Sequence, residues 1–575
     1  MSSRREKRGK KPEPLTARRG SEATQQFWSA KRAYLAFLLL TLVAAFTVYA
    51  PALNGGFVFD DQYLPFGHPD MQKAPLKAWL GVRPVLMFSF WITLKIWGLT
   101  PAAFHAGNIV LHWLNGFLVF FILRNLLRKV DPQAPGLLAA LTAAVFLFHP
   151  AHTESVAYIA SRSEVLSAFF FLSAYALFLL NHQRVTWLSS FSILVLYGAA
   201  VATKEHTVTL LPLLLLTDYF FNPGFRFSGI QRNWKLYVPA AGMGVLGLAF
   251  VARVLATADT AGFAVKGVKW YEYAFTQLHV IWRYVFLFVA PVNLNADYHL
   301  PVTRSFFSAP TMVGLLGLVL VLTIVWRSHR TWPLAVFGVL TFLLLLAPTS
   351  SVVPIADMMA ERRLYLPCLG LLILLLDLLR RMQARTQVYA GLGACLVVFA
   401  VLTYQRAQVW ASDIALWEDT TRKSPHAVRP FFQLGYAYYN AGRCAEAAAA
   451  FQQAARLGPP TAELLSDWGL ALECAGQKEE ALQKFQQSLA VKPTAVVHAQ
   501  IAALEARRGR YPEALAALEQ AEHLDPSLSV IYVYRGNILL QLGYKRDAAE
   551  AYRRALSLRP DDEVAQKGLR MATQL

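Results

Sequence analysis

Between residues 33 and 404 the chain is a succession of apolar runs. Most are close to the ~20 residues that a helix needs to cross ~30 Å of hydrocarbon. They fall at 33–51, 104–124, 136–149, 164–181, 186–203, 206–221, 236–256, 311–326, 332–350, 364–380 and 388–404, the third being short. Backbone placed in hydrocarbon has no water to bond, so a chain built this way must satisfy its own amides as helices. The expected fold class is therefore all-α, a polytopic bundle of about eleven spans. With 55% apolar residues, 16% charged residues and a mean hydropathy of +0.36, a soluble multidomain enzyme, a disordered chain and a collagen are excluded.

The net charge of +19 would suggest nucleic acid on a soluble chain. Here ten Lys/Arg against three Glu crowd into residues 1–32, immediately before the first run. That arm reads as a cytoplasmic anchor meeting membrane lipids, and no nucleic-acid partner is expected. Its basic region is too long for a cleavable signal peptide. Basic residues in short loops then set orientation. The arm, Arg124/Arg128/Lys129, Arg226/Arg232/Lys235, Arg327/Arg330 and Arg380/Arg381/Arg385 all face the cytoplasm if the eleven runs cross. A twelfth apolar stretch, 272–290, holds Gln277, His279 and Arg283 and reads as a helix lying in the interface or partly inserted. This reading puts the C-terminal tail outside the cytoplasm.

Beyond residue 410 the apolar runs stop. Proline recurs at 459, 493, 526 and 560, spacings of 34, 33 and 34, within a repeated pattern. Its first copy reads Leu434-Gly435, Tyr438, Ala447, Phe451, Ala454, Pro459; the third copy, with Ala502, Ala514, Leu518 and Ala521, is the poorest. The pattern resembles the tetratricopeptide repeat, with small residues at the eighth and twentieth positions where two helices approach and proline closing the second helix. The expected organisation is a basic arm over 1–32, a membrane domain over 33–410 and a repeat domain over 411–575. The repeats fall at about 428–461, 462–494, 495–528 and 529–562. Residues 412–425 and 562–575 read as caps, and the array suits the grip of an extended peptide, a rigid spacer being the alternative. Cys444 and Cys474, near the turns of neighbouring repeats, are expected as free buried thiols, although an extracytoplasmic tail would let them pair. Cys368 and Cys395 read as packing residues.

Polar clusters collect on the proposed outer face, where charge near hydrocarbon needs a reason. They are Asn54–Asp61 with Asp60 and Asp61; His149, His152 and Glu154, followed by Arg162 and Glu164; Lys204-Glu205-His206; and Asp357 with Glu361, Arg362 and Arg363. Asn293, Asn295, Asp297 and His299 form a fifth if the topology holds. Each has a plain structural alternative. Asp60/Asp61 can cap a loop helix, Lys204-Glu205 can be an ion pair at a turn, and the two arginines can anchor a helix end. His149 and His152 are too few for zinc and are interrupted by Pro150. Together, an acidic pair, histidines and arginines on one face suit chemistry between a lipid-linked phosphate and an acceptor outside.

Ordered along the chain, NGGFVFDD, RPVLMFSF (83–90), FHAGNIVLHWLN (104–115), FHPAHTESVAYIASRSEVLS (148–167), ATKEHTVTLLPLLLLTDYF (202–220), NLNADYHLP (293–301), MAERRLYLPCLG (359–370) and the repeats resemble the transmembrane and tetratricopeptide-repeat-containing O-mannosyltransferase family, within the GT-C glycosyltransferases. The resemblance implies transfer of a sugar, mannose in the family, from a polyprenyl-phosphate donor to a hydroxyl acceptor such as Ser/Thr of exported proteins. The acceptor protein or peptide is held in part by the repeats. The four-repeat array and compact basic form suggest a bacterial relative, in the inner membrane with periplasmic repeats; a eukaryotic one would face the endoplasmic reticulum lumen.

By the family pattern Asp60/Asp61 supply the catalytic carboxylate, an inverting general base. Arg362 and Arg363, then Arg83 and Lys204, hold the donor phosphate. His149, His152, Glu154, Arg162, Glu205, Asp297, His299 and Glu361 position these groups, and no metal or other cofactor is expected. The rival reading is a non-catalytic membrane scaffold or transporter that recruits partners through its repeats.

Overall fold

The computed structural model describes residues 38–257 and 260–574; the basic arm and the start of the first apolar run lie outside the described residues. The fold is all-helical, and among the described residues the β pairing is confined to one isolated bridge, Ala261–Ile355. Two compact units are present. One comprises the described residues to Leu294 together with Leu300–Ser412; the other comprises Asn295–His299 and Asp413 onward.

In the first unit, five helices have the length and apolarity to cross a membrane: Pro101–Val130, Ile159–Asn181, Trp234–Thr257, Ala309–Ser328 and Arg385–Val409. A sixth is obtained if Gly136–Phe148 and Pro150–Ala157, bent by 49°, count as one broken span. The other apolar helices, among them Leu38–Val48, Trp187–Val201 and Pro333–Leu346, are shorter. One helix absent from the expected runs, Pro84–Trp97, packs beside Pro101–Val130. The stretch 272–290 falls almost wholly within the continuous helix Trp270–Val289. Glycine sets the closest helix approach. A Cβ on Gly370 would lie 2.3 Å from the Phe342 backbone nitrogen, so Pro333–Leu346 and Cys368–Arg380 meet backbone to backbone.

The helix Pro101–Val130 positions the loop that follows Gly136–Phe148. Proline opens it, where the missing N–H costs nothing, and Arg128 and Lys129 close it against the negative end of its dipole. On one face it carries His105, Asn108, His112 and Asn115, all fully buried. This polar stripe faces residues 147–165, whose stretch 149–161 is broken into short turns and therefore leaves carbonyls without helical donors. Asn108 Nδ2 donates to the carbonyls of Val156 and Tyr158, each at 3.3 Å, and Asn115 Nδ2 to that of Val165 at 2.8 Å. His112 Nε2 lies 3.0 Å from Leu147 O. The buried carbonyls of this non-helical backbone are thus satisfied by side-chain donors of the neighbouring helix.

The second unit contains four helix pairs, Val428–Asn440 with Cys444–Leu457, Ala462–Cys474 with Lys478–Val491, Ala495–Arg507 with Tyr511–Leu524, and Ser529–Gln541 with Lys545–Leu558. Asp413–Lys423 leads them and Glu563–Thr573 trails. In three pairs a glycine in the first helix sits against a ring of the second. A Cβ would lie 2.8 Å from the Phe451 ring at Gly435, 2.5 Å from Phe485 at Gly469 and 2.7 Å from Tyr552 at Gly536. The third pair has Ala502 where the others have glycine and Leu518 where they have an aromatic ring, both fully buried in one core cluster. The poor match of that copy is a paired exchange of volume. The turns between paired helices use Gly442, Gly476, Gly509 and Gly543 at φ of 73° to 85°, a region that a side chain makes costly. Cys444 and Cys474 are disulfide-bonded, with Cα atoms 5.6 Å apart, and Cys474 is exposed; the expectation of free buried thiols is corrected. Helix ends of successive repeats come together there, which spacing alone does not reveal.

Candidate functional site

The two adjacent acids point in opposite directions. The turn Phe59–Tyr63 begins with Phe59 in the left-handed region at φ 53°, and this rotates consecutive side chains apart. Asp61 is fully buried. Its Oδ2 accepts from Val58 N at 3.0 Å and its Oδ1 from Ala160 N at 2.7 Å, so it staples the loop to the segment 149–161. Asp60 is exposed. Its backbone N–H donates to Tyr158 Oη at 3.2 Å, and the tyrosine hydroxyl also bonds its carboxylate. Tyr158 is clamped between Phe59 and Trp410, stacked on both, at centroid distances of 5.9 and 5.2 Å.

Around these groups stand three cations, each with a carboxylate partner. Arg362 pairs with buried Glu154, whose Oε2 also accepts the Arg362 backbone N–H at 2.9 Å, and its Nη2 lies 3.4 Å from Asp357 Oδ2. Lys204 pairs with Glu164. Arg83 is bidentate on Glu205, with Nε and Nη2 each 2.9 Å from a carboxylate oxygen. A Lys204–Glu205 ion pair, the alternative read for that turn, is replaced by this exchange of partners. Arg362 disfavours the charged forms of both Arg83 and Lys204, so the three positive groups share one field. Burial raises the Glu205 carboxyl, but the Arg83 bond and charge outweigh it and hold it below the usual range. Burial lowers the Lys204 ammonium against the opposing charge of Glu164. Burial also lowers His206, 3.8 Å from Glu164, to about 4, so its imidazole is neutral near pH 7. The Arg83 and Arg362 side chains keep 38% and 26% of their surface exposed, which leaves cationic edges open to an anion.

Other expected site residues lie elsewhere. Arg363 is buried, with Nη2 2.7 Å from Asp357 O and Nη1 directed at the carbonyls of Met358 and Thr349; it holds the loop together. Arg162 is locked between the Phe90 and Phe104 rings and donates to Asn108, Thr93 and the carbonyls of Ser89 and Phe104. His149 and His152 are fully buried, with ring nitrogens against the carbonyls of Phe288 and Phe146 at 3.0 and 2.9 Å. His152 also belongs to an aromatic cluster with His112, Phe146 and Tyr365. Glu361 is buried 3.6 Å from Arg406. Asp297 and His299 belong to the repeat unit, where Asp297 Oδ2 accepts from Arg429 Nε at 2.6 Å. Among the described residues no group of three or more His, Cys, Asp or Glu is placed to hold a metal.

Sequence reasoning passed over Tyr158, Trp410 and the ion-pair role of Glu164. Tyr158 sits inside the quoted segment FHPAHTESVAYIASRSEVLS, but nothing in its spacing shows that residues 59 and 410 sandwich it.

Comparison with known proteins gives two kinds of match. Models described as Tetratricopeptide repeat match residues 432–496 and 529–562. Protein O-mannosyl-transferase F38B6.6 of Caenorhabditis elegans is 26% identical over 453 residues, covering 73% of this chain and 63% of its own. Protein O-mannosyl-transferase TMTC3 of Mus musculus is 21% identical over 598 residues, 91% of this chain and 63% of its own. Protein O-mannosyl-transferase Tmtc1 of Drosophila melanogaster reaches 34% over 191 residues, 30% of this chain and 22% of its own. The chain thus spans under two thirds of the length of each of these relatives.

Proposed function

The chain belongs to the transmembrane and tetratricopeptide-repeat-containing O-mannosyltransferase family, and from that premise we propose that it is a membrane glycosyltransferase that moves mannose from a polyprenyl-phosphate donor to a Ser or Thr hydroxyl of an exported protein. The observation that carries this reading is the exposed Asp60 carboxylate, bonded by Tyr158, in the field of the Arg362–Glu154 pair.

Asp60 accepts the proton of the acceptor hydroxyl as its oxygen forms the new bond to the sugar's anomeric carbon. The bond from that carbon to the phosphate breaks on the opposite face and inverts the centre. The electron pair leaves with the phosphate. Arg362, Arg83 and Lys204 stabilise the growing negative charge, and Glu154, Glu205 and Glu164 hold those cations in place beforehand, so little reorganisation accompanies the reaction. Asp61 serves as a staple, and Arg162, Arg363, His149 and His152 support the loops. The exposed disulfide of the repeats favours an oxidising compartment for the tail, which agrees with acceptors met outside the cytoplasm.

The test is transfer of labelled mannose from undecaprenyl-phosphate mannose to a Ser/Thr peptide by the purified full chain, wild type against Asp60→Asn. The reading requires transfer by the wild type and loss in the variant. Equal transfer by the two proteins rejects Asp60 as base, and no transfer by the wild type rejects the donor.

A further inference from the structure

A cavity of 640 Å³ uses none of the residues assigned above; Phe263, Lys269, Trp270, Tyr271, Glu272 and Arg304 are among those that line it. Its size falls within the ~300–1,000 Å³ that small ligands occupy. Its position follows from the helices beside it. Trp234–Thr257 and Ala309–Ser328 have the length and apolarity to cross a membrane, yet only 6% and 11% of their apolar windows are buried, so both face hydrocarbon. Beyond the first, Gly262 at φ 108° folds the lining loop onto the helix end, where a Cβ would lie 2.4 Å from Leu255 O. Arg304 stands shortly before the second, which packs on Trp270–Val289 so closely that a Cβ on Gly314 would lie 2.3 Å from Leu278 O. The cavity therefore sits where two lipid-facing helices leave the bilayer. Its loop also pairs with the segment that precedes Asp357, Gly262 N donating to Pro354 O at 2.8 Å and Ala356 N to Thr260 O at 2.9 Å. This puts it on the face that carries Arg362, whose Nη2 is 3.4 Å from Asp357 Oδ2.

Aromatic rings mark the level. Contacts run from Trp270 through Tyr271, Phe275 and Phe306 to Phe307 at centroid distances of 5.8, 5.8, 5.5 and 5.4 Å. Phe263, Trp270 and Phe307 are exposed, and such rings, Trp above all, collect at headgroup depth. Charge then selects the ligand. Lys269 and Arg304 form no ion pair among the described residues, unlike Arg83, Lys204 and Arg362. The lining acid, Glu272, has its Oε2 turned onto the Lys269 backbone N–H at 3.0 Å. Two open cations at headgroup depth suit a phosphodiester, whereas an acidic peptide in solution would meet the cations without using rings that face the bilayer. We propose that the cavity holds the headgroup of an anionic phospholipid, with its phosphodiester between Lys269 and Arg304 and its acyl chains in the surrounding bilayer. The bound lipid fixes the height of the loop paired with residues 354–356, and so of Asp357, above the membrane. The inference needs the membrane reading alone and does not depend on sugar transfer.

The test uses the full chain in detergent. Phosphatidylglycerol carrying a diazirine in its headgroup is photolysed with the protein, and the labelled peptides are mapped. Label on residues 263–272 and 304–307 that excess dioleoyl phosphatidylglycerol displaces, and dioleoyl phosphatidylcholine does not, is the expected result. Label confined to other residues, or equal displacement by the zwitterionic lipid, overturns the proposal. Displacement by undecaprenyl phosphate at lower concentration than by phosphatidylglycerol makes the cavity a donor site, and displacement by an oligoglutamate peptide alone makes it a peptide site; either result also overturns it. Lys269→Gln combined with Arg304→Gln weakens the labelling affinity about thirtyfold. Lys269→Arg combined with Arg304→Lys keeps both charges and retains it. Unchanged affinity in the glutamine pair, or equal loss in the two pairs, rejects the phosphate contact.

Discussion

Substituting the two adjacent acids one at a time separates a chemical role from a structural one. In Asp61→Asn one oxygen that accepts a backbone N–H becomes an amide that donates. One charge-assisted bond is lost, worth about 1.5–3 kcal/mol, and a buried N–H is left facing another donor at a further cost of about 1–3 kcal/mol. The sum, about 2.5–6 kcal/mol, falls on a fully buried group that ties residues 58 and 160 together. Asp60→Asn changes an exposed side chain, whose stability cost stays within about 0.5 kcal/mol. It also removes the proposed base, and such removals lower rates by about 10²–10⁴. Thermal unfolding of the detergent-purified full chain and the mannose-transfer rate should therefore dissociate. Asp61→Asn melts several degrees lower, and Asp60→Asn melts like the wild type but transfers at under a hundredth of its rate. If Asp61→Asn melts with the wild type while abolishing transfer, and Asp60→Asn keeps its activity, the assignment of roles is reversed.

Three other outcomes are expected. Arg83→Lys keeps the charge but loses the two-point bond to Glu205, so KM for the lipid donor rises several-fold, and an unchanged KM removes Arg83 from the donor site. His206 has its pKa lowered by burial, against the charge of Glu164, from 6.5 to about 4, so the unfolded chain takes up that proton first and stability declines as pH falls from 6.5 to about 4. His206→Gln should lessen the fall in melting temperature across that window, and an unaltered slope excludes this imidazole as a source of acid sensitivity. Maleimide labelling of the denatured, unreduced chain should reach Cys368 and Cys395 alone, with Cys444 and Cys474 joining after reduction; four labels without reduction place the tail in a reducing compartment.

What could be read from the chain beforehand follows the range of the interaction involved. Helical periodicity and span-length apolar runs are local, so the all-helical class and the repeats were legible, whereas the ring at 451, 485 or 552 that each repeat glycine faces was not. The exchange of Ala502 and Leu518 for a glycine and a ring looked like decay because its meaning lies in a contact across two helices. Charge composition picked out these loops but could not rank their members. Arg162 and Arg363 carry the same formal charge as Arg83 and Arg362, yet the donors of Arg162 are taken by Ser89 O, Thr93, Phe104 O and Asn108, and those of Arg363 by carbonyls of the segment 349–358. The segment 149–161, which carries Glu154 and Tyr158, is broken into short turns, and the buried Asn108 amide donates to two of its carbonyls. His105, Asn108, His112 and Asn115 stand at helical spacing in a span whose hydrophobicity alone would have excluded them. A polar stripe on such a helix is costly unless it is used. FHAGNIVLHWLN therefore held a sign, present before any coordinates, that irregular backbone lies against that helix. The acids at 60 and 61 carried no comparable sign. Their division depends on one left-handed residue, Phe59, and on stacking partners about a hundred and about three hundred and fifty positions away.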